Sequence, residues 1–133
     1  MTAQNSSWND FYKQGIQYMR TTERSVMRGD IFTPVIMYNM SAIAIEKLIM
    51  GACMFEGKLP FCHTLSGMAD FSREILGLDE QLVSDMNLMD DMQMICSEDD
   101  VSLKEPDIGD VPFFIDVMKR IFAKTESHIK SGN

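Results

Sequence analysis

The sequence predicts an all-α protein: an up-and-down helical bundle of four to five helices, forming one domain over residues 1–133. Three observations lead there. Apolar residues recur at helical spacing through most of the chain. The breaks between these stretches fall at Gly or Pro and, apart from one long acidic loop over residues 97–110, are short. A content of 45% hydrophobic and 24% charged residues is that of a globular chain, in which helices with one apolar side must pack on one another.

Helix one is expected from about Ser7 to Arg28, with Trp8, Phe11, Tyr12, Met19 and Val26 on its inner face. On its other side Lys13, Gln17, Arg20, Arg24 and Arg28 form a basic stripe, ended by Gly29-Asp30. Helix two is expected from about Phe32 to Glu56, with Pro34 in the first turn, where a missing N–H does no harm. It is apolar nearly all round, so neighbours are expected on most sides. The exceptions are Asn39 and Glu46 on one line, and Ser41 and Lys47 elsewhere. A turn over Gly57–Phe61 leads to helix three, His63 to Leu76, which stops at Gly77. Helix four takes Asp79 as N-cap and lines up Leu78, Leu82, Met86, Met89, Met92 and Cys96. Residues 97–110 read as an acidic loop with Pro106 and Gly109. A last helix follows from Asp110 or Val111, with Phe113 or Phe114, Val117, Ile121 and Ile129 facing the core.

Ile31 to Phe55 is long and apolar enough to suggest a membrane span. Glu46 and Lys47 argue against one, since each costs about 2.5–3.5 kcal/mol at a bilayer centre. A buried central helix of a soluble bundle is expected. Cys53, Cys62 and Cys96 show no paired spacing, and the N-terminus lacks the basic and apolar regions of a signal peptide, so a reducing, cytoplasmic location is expected. Neither a zinc site at Cys62-His63 nor a calcium loop at Ser97–Asp100 is expected, because the ligand spacings are wrong. No metal or other cofactor is implied.

The net charge is −8, concentrated in residues 79–110, where eleven acids face Lys104 alone. An acidic whole argues against non-specific DNA binding, which rests on neutralising phosphates. Two local features remain as candidate sites. The stripe of Lys13, Arg20, Arg24 and Arg28 presents arginine forks suited to phosphate; its plainer reading is a solvated face. Asn39 and Glu46 suggest an internal polar network with Lys47 or an arginine as partner; its plainer reading is a buried pair of structural value only.

Three further segments resemble the HEPN family of α-helical nucleotide-binding modules and RNase toxins, most strongly over residues 28–68. Arg28-Gly29-Asp30-Ile31-Phe32 resembles the end of that family's first helix, and Ala44-Ile45-Glu46-Lys47-Leu48 its A-x-E-K-x-L helix. Pro60, His63 and Leu65 resemble its P…T-H-D-L turn, with Cys62 where the family has Thr and Thr64 where it has Asp. A thiol caps a helix poorly, so a weak start to helix three is expected. HEPN ribonucleases use Arg followed four to six residues later by His. Here Arg120 precedes His128 by eight residues and no arginine lies near before His63, so neither histidine completes that motif. The resemblance therefore implies a non-catalytic binding or regulatory module, a homodimer that takes a nucleotide or a nucleotidyltransferase-type protein partner. The alternatives are a divergent ribonuclease or toxin-like enzyme using His63 or His128, and a dimeric scaffold without a small ligand.

Overall fold

The computed structural model describes residues 3–28, 30–94 and 106–132. They form five α-helices: α1 (Ala3–Ser25), α2 (Pro34–Phe55), α3 (Leu65–Leu76), α4 (Glu80–Met94) and α5 (Val111–Ser131), the last entered through a 3₁₀ turn, Ile108–Asp110. The all-α bundle is as the sequence predicts. α1 begins before the expected Ser7 and ends at Ser25, so Arg28 lies in the connecting turn, where its N–H bonds the Ser25 carbonyl at 2.9 Å.

α2 is the central element, packed against α1, α5 and α3. Thr33 caps its start, with Pro34 in the first turn. Ala44, Ile45, Leu48, Ile49 and Ala52 have no exposed surface, and each of the larger ones contributes about 1.5–3 kcal/mol by burial. α2 passes the length and apolarity test for a membrane span, but 56% of its most apolar window is buried in the bundle. Its neighbours account for its apolarity. They do not surround it: Ile36 is 40% exposed, and Asn39, Ile43 and Glu46 lie on an open side.

The α1–α2 pair is antiparallel and unusually close. A Cβ on Gly51 would fall 2.8 Å from Tyr12 Cβ and 2.9 Å from Tyr12 N; one on Gly15 would fall 3.0 Å from Leu48 N. Two glycines at the crossing let the backbones touch. Tyr12 also reaches α5, donating to Thr125 Oγ1 at 3.1 Å, while that hydroxyl donates to the Phe122 carbonyl at 3.0 Å. Burial raises the Tyr12 pKa, against the lowering effect of the Thr125 bond and with a further rise from Glu126.

α3 and α4 pair antiparallel: Asp90, late in α4, meets the first residues of α3, and Arg73 lies 3.9 Å from Glu80 at the other end. Asp79 caps α4 through Leu82 N at 2.8 Å, as expected. Leu78, Leu82, Met86 and Met89 are buried and Met92 is partly so; Cys96 lies outside the described residues. α5 runs parallel to α2, with Phe114 against Tyr38 near their starts and His128 against Phe55 near their ends. Phe114, Val117, Ile121 and Ile129 are buried, and Phe113 is the half-buried one. Arg120 ties α5 to α4 through the nearly buried Asp85, and also bonds Asp116 at 2.9 Å.

Candidate functional site

Asn39 and Glu46 are two helical turns apart and so share one line of α2. They do not form an internal network. They line an open hollow of about 340 Å³ with Tyr38, Ala42, Ile43 and Leu65, and the partner of Glu46 is His63: Nδ1 lies 3.2 Å from Oε2. The chain after α2 doubles back along it, bringing His63 beside the middle of the helix. His63 is 75% exposed and Glu46 36%, so the pair contributes under about 1 kcal/mol to stability. Lys47 does not join this site. Its Nζ sits over the Phe11 ring, 5.2 Å from the centroid, because consecutive helical residues diverge by about 100° and position 47 faces α1.

What holds His63 in place is the start of α3. The helix begins at Leu65, not His63, and Thr64 caps it, accepting from Gly67 N at 3.0 Å. Asp90 adds a second cap from α4, accepting from Leu65 N at 3.0 Å and Ser66 N at 2.7 Å. The weak start expected from Cys62 is corrected: the hydroxyl two residues on takes the cap, and a carboxylate satisfies two more donors at the positive end of the helix. Tyr38 fixes the opposite wall, its hydroxyl donating to the Met89 carbonyl at 2.6 Å. Asp90 was not legible as a site-positioning residue; it acts across 25 positions, and nothing local in the sequence marks it.

The basic stripe is a separate feature. Lys13, Arg20 and Arg24 are exposed along the outer side of α1 with Gln17 between them, and Arg28 is exposed in the turn beyond the helix. None of the four forms an ion pair among the described residues. The half-buried Glu23 on the same helix goes to Lys119 at 3.7 Å. The stripe therefore has charge to offer that no neighbouring carboxylate takes up.

His128 is held elsewhere. Its Nε2 lies 2.9 Å from Glu56 Oε2 but is not aligned for a hydrogen bond, and its ring meets Phe55 edge-on. Arg120 is about 12 Å away along α5 and bound to Asp85 and Asp116, so the two do not act together. Burial pulls the Arg120 pKa down, but the hydrogen bonds and charges of Asp85 and Asp116 outweigh it, and the net direction is up. Cys53 is buried and its pKa is pushed up to about 11 by burial, against the lowering influence of Lys58 and with a further rise from Glu56; Cys62 is exposed. Among the described residues no three His, Cys, Asp or Glu side chains converge as metal ligands. Residues 97–105 of the expected acidic loop lie outside the described residues, and within 106–110 the 3₁₀ turn forms.

No protein-family model matches the chain, and no curated protein matches it in sequence. Among solved structures, the crystal structure of TT1696 from Thermus thermophilus is similar, with a TM-score of 0.73 and 16% sequence identity. The match covers 91% of this chain and 97% of that one. The two share a fold. At that identity the likeness extends to the fold alone.

Proposed function

We propose that this chain is a non-catalytic, HEPN-like binding or regulatory module that receives a phosphate-bearing ligand, a nucleotide or short single-stranded RNA, on the outer side of α1. The observation that carries this reading is the set of exposed cations Lys13, Arg20 and Arg24, with Arg28 beyond them, none of them ion-paired among the described residues in a chain of net charge −8. Arginine forks match phosphate oxygens in geometry and charge. In this reading the module works as a homodimer, or with a nucleotidyltransferase-type partner, through exposed apolar side chains such as Ile36 of α2 and Leu88 of α4.

Thermal unfolding against nucleotides and short single-stranded RNA, with and without magnesium, tests it. A ligand at about 100 times its Kd adds roughly 2.7 kcal/mol, a rise in Tm on the order of 10 °C for a domain of this size. The rise is expected to vanish in the Arg20→Ala/Arg24→Ala variant. No rise with any of these ligands refutes the reading.

The His63–Glu46 pair favours a second reading, a divergent RNA-cleaving enzyme. A carboxylate on Nδ1 orients the imidazole and leaves Nε2 to exchange a proton with substrate. RNA cleavage that is lost in His63→Ala would select the enzyme; binding without turnover selects the module.

A further inference from the structure

A second hollow, beside α3, shares no lining residue with the one at Glu46 and His63. It measures about 290 Å³, just below the range of drug-sized ligand sites, and is lined by Phe61, Cys62, Gly67, Asp70 and Phe71. Local structure explains how these residues meet. Gly67, Asp70 and Phe71 share one face of α3, being three and four residues apart. The chain before α3 lies directly on that face. A Cβ on Gly67 would fall 2.5 Å from Cys62 Cβ, so the close approach needs glycine there. Pro60 is buried, and Phe61 stands outward beside it, 75% exposed. Its ring meets that of Phe71 at 79°, with the centroids 5.8 Å apart. Two aromatic walls thus stand nearly at right angles over one hollow.

The chemistry of this corner decides what fits it. An aromatic ring is negative over its face and attracts a cation placed within about 6 Å of its centroid. No cation of the chain lies over either ring among the described residues; Lys47 goes to Phe11 instead. The charge in the lining is the Asp70 carboxylate, exposed and without an ion pair among the described residues. Lys58, Arg73 and Glu74 belong to the next hollow along α3, where Arg73 lies 3.9 Å from Glu80. Rings and carboxylate alike repel an anion. A plain ammonium would have to shed water from three N–H donors, for which the corner offers one carboxylate. A fully methylated cation has no N–H to satisfy and presents apolar methyl groups to the rings. We infer that this corner binds a trimethylammonium group, with Phe61 and Phe71 against its methyl groups and Asp70 balancing its charge. The inference goes beyond the proposed phosphate site and does not depend on it.

The test is a heteronuclear NMR titration of the full chain with choline chloride at constant ionic strength. Saturable shifts are expected at Phe61, Cys62, Gly67 and Asp70. Dimethylbutanol, the uncharged analogue of the same shape, is expected to bind about tenfold more weakly. Ethanolammonium, which lacks the methyl groups, is also expected to bind more weakly than choline. A trimethyllysine amide forms the second arm. Tighter binding than choline assigns the corner to a modified lysine, and weaker binding assigns it to a free head group; both support the inference. Phe61→Ala truncates an exposed side chain, so the fold is kept, and it is expected to abolish saturation. Asp70→Asn is expected to weaken binding several-fold. The inference is overturned by the absence of saturable shifts at these residues, by equal affinity for dimethylbutanol, or by a Phe61→Ala protein that binds as before. A wild-type dimer that Phe61→Ala dissociates also overturns it, because a second copy then covers the rings.

Discussion

Cys53 and Cys62 carry the same thiol, and the fold gives them opposite chemistry. Cys53 has no exposed surface and a pKa pushed up to about 11; Cys62 is exposed ahead of α3. A thiol reagent at neutral pH is therefore expected to modify Cys62 quickly and Cys53 only on unfolding. The raised pKa also sets a pH window. The folded state holds the Cys53 proton more tightly than the unfolded chain, whose thiol titrates near 9.0, so its contribution is complete below about pH 9 and is lost as pH rises through 11. Tyr12, raised from 10.0, adds to the same decline. In a protein with Cys62 and Cys96 changed to Ser, the urea midpoint should fall between pH 8 and pH 11, and Cys53→Ala should flatten that fall. A flat profile in the parent would show that the thiol is not held in a dry site. The charged pair of α2 shows how far single residues can be read from sequence. Glu46 and Lys47 are conspicuous in an apolar helix, and both do have specific places. Which way each points was not legible, because the partner of Glu46 is on a loop 17 positions away and that of Lys47 is the face of an aromatic ring on α1.

At the scale of elements, periodicity locates each of the five helices among the described residues, and local chemistry sets the ends that have local causes. Thr33, Asp79 and Thr64 cap three of them by bonds three residues long. At the end of α1 a run of local turn bonds, Arg28 N to Ser25 O among them, replaces the helix that periodicity extends to Arg28; the second cap of α3 comes from α4, and there the sequence is silent. The α1–α2 crossing is the clearest instance: Gly15 and Gly51 read as unremarkable positions within helices, yet they set the distance between them. Gly51→Ala puts a methyl group 2.8 Å from Tyr12 Cβ and about as close to backbone atoms of α1, which cannot rotate away. Helix propensity would favour alanine by about 1 kcal/mol, and forced separation of a packed pair costs about 1–3 kcal/mol. The clash should win. The expected result is a urea midpoint lowered with an unchanged m-value, and a Gly51→Ala protein as stable as wild type would mean that the helices separate freely.

At the scale of the molecule, the fold separates charge. α1 packs on α2 and α5, while α4 packs on α3 and α5, so the basic stripe and the acids of α3 and α4 lie on different helices with the α2–α5 layer between them. The uneven distribution of charge along the sequence foreshadowed this; its arrangement in space needed the packing. Any polyanion meets a chain that is repulsive as a whole, and the attraction of the α1 stripe reaches only about a Debye length, roughly 10 Å at 0.1 M salt. If the stripe holds single-stranded RNA through Lys13, Arg20 and Arg24, three phosphate contacts at about 0.7 each give a slope near −2 in log K against log salt. Affinity should then fall about 20-fold between 50 and 200 mM salt. Removing one contact with Arg20→Ala should lower the slope to about −1.4 and the fall to about sevenfold. Fluorescence anisotropy on a short oligonucleotide across that salt range measures both. A slope near zero, or one that Arg20→Ala leaves unaltered, would mean that binding does not run through α1.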